Sequence, residues 1–309
     1  MTLAVWMTAG VNAGGFTASE SLYANVGGHR MHYQKCGSGT PLLLLPGMLG
    51  YCFSWRFNMA ALGEYATVYA ADMIGMGHSD RVANIDASLE ATAGRIFDFM
   101  DAVGLQQVDL LGTSHGGALA MWMAAARPER VRRLILVAPA NPFSTECEPL
   151  LAFYQSSLGK WFATRVPFLP RAVQEVALGR MYGNAERVVN GTLDGYMEPL
   201  RVPGTPEHVM RVVAGWQTDM ARLRDRLPHL PHVPVLLIWG DRDRAVGLKS
   251  CALLRKYMPI SRLVVLRGAG HLPYEEQPVE FNAAVLDFLS RPTMPATVLP
   301  WPERKNDAA

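Results

Sequence analysis

Cysteine, net charge and long apolar runs are what this 309-residue sequence has little of. Its four cysteines, Cys36, Cys52, Cys147 and Cys251, stand far apart with no C-x-x-C pair. That spacing excludes a disulfide framework and supplies no ligand pattern for a structural zinc. The 29 Lys and Arg against 27 Asp and Glu leave a net charge of +2, too balanced for overall electrostatics to point to nucleic acid or an anionic membrane. Gly (28) and Pro (21) fall below the level of low-complexity or collagen-like sequence. Two uncharged stretches, 1–19 and 36–55, are broken by Gly10, Gly14 and Gly15 in the first and by Pro41, Pro46 and Gly47 in the second. A spanning helix needs about 20 unbroken apolar residues, so neither reads as one. The first stretch also lacks the basic start of a signal peptide. The expectation is a soluble, cytoplasmic protein with no stable membrane insertion, no nucleic-acid partner and loosely ordered tails at 1–20 and 291–309.

What is present is half hydrophobic by composition, enough for a large core. Apolar runs at 42–45, 67–71, 108–111 and 134–137 alternate with helical patterns at 89–103 and 115–126, and two short strands flank the turn Gly27-Gly28. Alternation of this kind predicts an α/β fold: a mostly parallel, doubly wound sheet with helices on both faces. It stops near Asn141. Residues 143–227 hold helical patterns broken by proline and glycine, rich in aromatics such as Phe153, Trp161, Phe162 and Phe168. Strand character returns at 235–239 and 263–266, and a last amphipathic helix covers 279–290. The organisation expected is a core in two parts, 21–141 and 229–290, with a helical cap at 142–228 over the sheet's carboxyl edge, where open α/β folds bind ligands. No internal repeat is found.

The sharpest local signal is Gly112-Thr113-Ser114-His115-Gly116, a G-x-S-x-G between an apolar strand and a helix. A strand-to-helix turn this tight requires glycine on either side. It lifts the Ser114 hydroxyl to a helix N-terminus, where developing negative charge is favoured. An ordinary helix-capping serine in a Gly-rich turn is the plainer reading, but the flanking strand, the helix and Gly117-Ala118 favour a nucleophile. Serine needs a base, and a carboxylate to orient that base. Of the five histidines after Ser114, His271 follows a strand in the turn Arg267-Gly268-Ala269-Gly270-His271 and can reach the sheet's carboxyl edge. His208 lies in a helical pattern, and His229 and His232 sit in a Pro-rich, solvent-facing segment whose H-x-x-H spacing is weak support for a metal. His115 is too close in sequence to reach back as base; its backbone N–H is the useful part. Asp241 and Asp243, after the strand ending at Gly240, compete for the role of acid.

Over about residues 22–290 the sequence resembles the α/β-hydrolase fold superfamily. Its motifs occur in that family's order: Leu43-Leu44-Leu45-Pro46-Gly47-Met48, Asp72-Met73-Ile74-Gly75-Met76-Gly77-His78-Ser79, the elbow at Ser114 and Gly270-His271. The resemblance implies a triad of Ser114, Asp243 and His271, since the family's acid falls three residues after the strand-ending glycine. Asp241 is left as a structural carboxylate balancing Arg242 or Arg244. It also implies an oxyanion hole from the backbone N–H groups of Met48 and His115, although Pro46 replaces the family's usual histidine. The helical insertion resembles the cap of esterases, lactonases, carbon–carbon bond hydrolases, epoxide hydrolases and haloalkane dehalogenases. The last two use an aspartate nucleophile, which Ser114 argues against, so Tyr154, Tyr182 and Tyr196 read as packing residues.

The function expected is a serine hydrolase of carboxylic esters with small-to-medium apolar groups, working through an acyl-enzyme without metal or organic cofactor. The same triad suits a carbon–carbon bond hydrolase or a lactonase. From a different class, a non-catalytic ligand-binding protein on this fold has no need of all three residues.

Overall fold

The computed structural model describes residues 19–230 and 233–291; the expectations for the outermost tails and for His232 lie outside the described residues. Strands β1 (Glu20–Val26), β2 (His29–Cys36) and β3 (Thr40–Leu45) lead to helix α1 (Met59–Gly63), β4 (Ala66–Ala71) and α2 (Leu89–Ala102). Next come β5 (Val108–Thr113), α3 (Ser114–Ala126) and β6 (Val131–Val137). Five helices follow with no strand among them: α4 (Glu148–Gln155), α5 (Ser157–Ala163), α6 (Arg171–Gly179), α7 (Thr192–Leu200) and α8 (Thr205–Arg226). The sheet resumes with β7 (Val235–Gly240), α9 (Lys249–Leu254), β8 (Ser261–Leu266), α10 (Pro273–Glu276) and α11 (Pro278–Ser290).

The eight strands form one sheet in the order β1-β2-β4-β3-β5-β6-β7-β8. β2 pairs antiparallel with both β1 and β4, and every pairing from β4 through β8 is parallel. The apolar runs are continuous because the central strands are covered on both faces. Alternation then sorts them. Leu43, Leu45, Leu110, Leu134, Leu136, Leu237 and Trp239 pack on the face covered by α2 and α3. Leu42, Leu44, Leu111, Ile135, Val137, Leu236 and Ile238 pack on the face covered by α1 and α11. In α2, Ile96, Phe97 and Met100 supply the buried stripe, and the Ser88 side chain caps the helix by accepting from Ala91 N–H. All four cysteines are free thiols. No helix among the described residues is long and apolar enough to cross a membrane.

The turn after β4 is built around Asp72, whose carboxylate is wholly buried. One oxygen accepts the Cys52 N–H at 2.6 Å; the other accepts the His78 N–H at 2.9 Å and lies 2.8 Å from His32 Nδ1. Ser79 Oγ donates to the Asp72 carbonyl and accepts from the His32 N–H. Gly77 is obligatory here, since its φ is +51° and a Cβ would stand 2.2 Å from the Asp72 carboxylate. The D-x-x-G-x-G-x-S segment thus fastens β2, the turn after β4 and the chain after β3 to one another.

Candidate active site

The elbow forms where β5 runs into α3 with no intervening residue. Ser114 has φ +50°, in the left-handed region that a side chain occupies only when its surroundings compel it. Tight packing does the compelling. A Cβ on Gly112 would sit 2.2 Å from the Gly116 carbonyl oxygen, and one on Gly116 would sit 2.3 Å from the carbonyl oxygens of Leu45 and Pro46. The Ser114 carbonyl accepts the Ala140 N–H at 2.9 Å, which ties the elbow to the chain leaving β6. Ser114 is half-buried at the carboxyl edge of the sheet.

The loop after β3 lies directly over the elbow. A Cβ on Gly47 would be 3.3 Å from Ser114 Cβ and 3.9 Å from Ser114 Oγ, and the loop closes into a turn through Gly50 N–H to the Gly47 carbonyl. Met48 follows Gly47 in this loop, as His115 follows Ser114 in the elbow. Pro46 puts no polar side chain there.

Across the same edge, the turn after β8 presents His271, 4% exposed. Its Nδ1 lies 2.8 Å from Asp243 Oδ2. The other Asp243 oxygen accepts the N–H groups of Ala245 and Val246 at 2.8 and 2.9 Å, so the carboxylate is held from behind and its side chain is fully buried. Asp241 faces elsewhere: its Oδ1 accepts the Gly268 N–H at 2.6 Å. It forms no ion pair with Arg242 or Arg244, the partners the resemblance left for it, because its side chain is turned toward the 266–268 turn to accept that amide. The two candidates are therefore distinguished by geometry: Asp243 meets the imidazole and Asp241 braces the turn beneath it.

The other histidines take separate places. His229 is exposed. His115 is 6% exposed, its ring centroid lies 6.0 Å from that of Trp216 on α8, and its Nε2 has no partner. Burial pulls its pKa down to about 4. His208, on α8, packs its ring against Gly75; burial, reinforced by Arg211 and Arg95, likewise holds its pKa down to about 4. Both imidazoles are neutral at pH 7.

Two buried acids that the sequence reading passed over link the inserted helices to this edge. Glu276 accepts the N–H groups of Gly270 and of Gly183, binding the turn before His271 to the segment after α6. His271 N–H donates to the Met181 carbonyl at 2.8 Å in the same seam. Glu275 accepts from Arg56 Nη2 and Tyr182 OH, both at 2.7 Å, and from Tyr196 OH. Tyr182 and Tyr196 are thus buried hydrogen-bonded residues, and desolvation raises the pKa of both. The available signal was the pair Glu275-Glu276 just past Gly270-His271, too general a feature to assign without coordinates. Helix α7 presses on the chain that follows the Gly47 loop: Gly195 rests on the Phe53 ring and its carbonyl accepts from Tyr51 OH at 2.8 Å. Met76, Leu193, Met197 and Leu200 close an apolar cluster there, with Phe53 packed against it.

The chain matches the alpha/beta hydrolase fold family over residues 40–278. It is 28% identical over 273 residues to a 2-hydroxymuconate semialdehyde hydrolase of Pseudomonas sp. (strain CF600), covering 85% of this chain and 91% of that protein. It is 26% identical over 266 residues to Lipase 1 of Psychrobacter immobilis, covering 81% and 77%. The structure of the 2-hydroxy-6-oxo-6-phenylhexa-2,4-dienoate hydrolase from Rhodococcus sp. strain RHA1 is similar with a TM-score of 0.75 at 21% identity, over 89% of this chain and 100% of that one. With its sheet order, its elbow and a match spanning most of its length, this chain belongs to the alpha/beta hydrolase fold family.

Proposed function

We propose that this protein is a serine hydrolase that cleaves carboxylic esters of small-to-medium apolar substrates through an acyl-enzyme. The observation that carries the reading is one sheet edge bearing both a left-handed serine under a glycine loop and a buried Asp243–His271 pair. In the proposed reaction, Ser114 Oγ attacks the acyl carbon and His271 Nε2 takes its proton. Asp243 holds the opposite nitrogen as the donor and stabilises the imidazolium. The amides of Met48 and His115 hold the oxyanion, each worth about 2.7–4 kcal/mol of barrier in sites of this kind. The imidazolium then protonates the leaving alcohol, and water, deprotonated by His271, releases the acid and restores Ser114. None of these steps calls for a metal or an organic cofactor.

We read residues 142–228 as a cap over the site. Support for an apolar substrate comes from the apolar and aromatic content of the inserted segment, since burial of a substrate group is worth about 0.8 kcal/mol per CH₂. The named relatives motivate a second reading, carbon–carbon bond hydrolysis of a dienoate by the same residues, because a hydrolase of that kind is among the similar proteins. The experiment is turnover of a graded series of aryl esters beside a ring-cleavage dienoate, with Ser114→Ala and a serine-directed phosphonate as controls. Ester turnover that rises with chain length, is lost in Ser114→Ala and leaves a phosphonate adduct on Ser114 is the expected result. Dienoate cleavage without ester turnover would select the second reading, and equal turnover by Ser114→Ala would refute both.

A further inference from the structure

We propose that the outer face of the inserted helices α4–α6 docks on an anionic lipid bilayer. Among the described residues, seven of the sixteen large apolar side chains that remain exposed lie within 150–176. Trp161 is 56% exposed, Phe168 66% and Leu158 66%. Scattered single apolar residues are normal on a surface, but their concentration within one short stretch of chain points to a site of contact.

Helix α6 makes the inversion plain. Val173, Val176 and Ala177 occupy the i, i+3 and i+4 positions of one stripe, and all three are exposed. The one buried residue of that helix is polar: Gln174 Nε2 donates to the carbonyls of Pro167 and Leu169. Leu178, four residues after Gln174, packs inward against the Met76 cluster, and the Val173, Val176 and Ala177 stripe on a different side of the helix is left available to another phase. Helices α4 and α5 follow suit, each burying a single residue, Leu151 and Gly159. They are held close where a Cβ on Gly159 would meet the Phe153 carbonyl oxygen at 1.9 Å.

Charge selects the occupant. Segment 148–180 contains four cations, Lys160, Arg165, Arg171 and Arg180, against two carboxylates, Glu148 and Glu175. Glu175 and Asp194 are both paired with Arg171, whereas Lys160, Arg165 and Arg180 have no ion-pair partner among the described residues. The Arg165 guanidinium lies 4.6 Å from the centre of the Trp161 ring, so a cation and an interfacial aromatic share one spot. Tryptophan with unpaired lysine and arginine is the composition that seats at the headgroup level of an anionic leaflet. Balanced over the whole chain, the charge leaves Lys160 and Arg165 unpaired beside the exposed Trp161.

The proposal goes beyond the reaction at Ser114 and is tested apart from it, by flotation of the full chain with vesicles of phosphatidylcholine alone or mixed with phosphatidylglycerol. The full chain and Ser114→Ala should both float with the mixed vesicles at least about tenfold better than with phosphatidylcholine alone. The double variant Lys160→Glu/Arg165→Glu should lose that preference altogether, its affinity for the mixed vesicles falling by up to about a thousandfold at about 1 kcal/mol per charge removed and again per charge reversed, with tenfold per 1.4 kcal/mol. Trp161→Ser/Phe168→Ser should float roughly tenfold less with either vesicle. Both variants should keep wild-type turnover of a soluble short-chain ester, and since every substituted side chain is exposed, both should melt like the parent. Absence of flotation, equal flotation with both vesicles, or flotation indifferent to all four substitutions would overturn the proposal. A wild-type dimer that Trp161→Ser/Phe168→Ser turns into a monomer would also overturn it, by assigning the face to a second copy of the chain.

Discussion

Asparagine at position 243 isolates the part of the proposed mechanism that geometry specifies most tightly. Asp243 Oδ1 accepts two backbone N–H groups at 2.8 and 2.9 Å, while Oδ2 meets His271 Nδ1. An asparagine here has one acceptor oxygen, and the amides of Ala245 and Val246 claim it. Its NH₂ group is then forced toward His271. The imidazole must accept at Nδ1, so its proton moves to Nε2, the nitrogen that has to receive the Ser114 proton. A wrong tautomer of this kind costs about 10⁴ in kcat, or about 5.4 kcal/mol at 1.36 kcal/mol per tenfold. Asp241→Asn keeps an oxygen for the Gly268 N–H, so its loss should stay within about tenfold, the scale of a single hydrogen bond. The assay is initial-rate hydrolysis of a short aryl ester by both variants, with thermal melts to show that each is folded. Asp243→Asn retaining a tenth of wild-type activity, or Asp241→Asn falling as far as Asp243→Asn, would refute the assignment.

Gly116→Ala should destabilise the fold by about 2–3 kcal/mol, because its Cβ meets the rigid carbonyls of Leu45 and Pro46; a calorimetric melt should fall by roughly 5–10 °C. Glu275→Gln should cost about 3 kcal/mol in chemical denaturation, since it leaves the Arg56 guanidinium without its buried counter-charge, and Arg56→Met in the same background should recover part of the loss. His115 and His208 have folded-state pKa values of about 4, below the ordinary histidine value near 6.5, so the unfolded chain binds more protons in that interval. Their contribution is fully present above pH 6.5 and is lost as the pH falls toward 4, by about 3 kcal/mol for each. Denaturation midpoints across that window should flatten in a His115→Gln/His208→Gln variant, and an unchanged slope would show that other groups govern it.

Much of this molecule was legible before any coordinates. Runs such as Leu42–Leu45 and Leu134–Val137 read as strands because a parallel strand covered on both faces needs apolar residues at every position. G-x-S-x-G read as an elbow because only glycine tolerates the carbonyls found 2.2–2.3 Å from the positions of its missing Cβ atoms. His271 could be singled out as well, and the acid narrowed to Asp241 or Asp243, since each follows the end of a strand and the ends of parallel strands share one edge; only the family resemblance preferred Asp243. Local sterics and periodicity are properties of neighbours in sequence, and sequence records them directly.

What lay out of reach depended on residues far apart in the chain. Nothing in Asp241-Arg242-Asp243 says which carboxylate turns toward an imidazole 28 or 30 positions later; the Ala245, Val246 and Gly268 amides decide it by taking particular oxygens. The Glu275 network joins Arg56, Tyr182 and Tyr196 across more than 200 residues, and no local pattern announces it. The aromatics of 143–227 belong by sequence to a cap expected over the sheet's carboxyl edge, yet Trp161 and Phe168 are exposed. Composition sets how much apolar surface a helix has. Which way that surface faces is settled only when the helix is packed, because the interior has room for one side of it and the buried partners, here Leu151, Gly159 and Gln174, are chosen by the surface beneath.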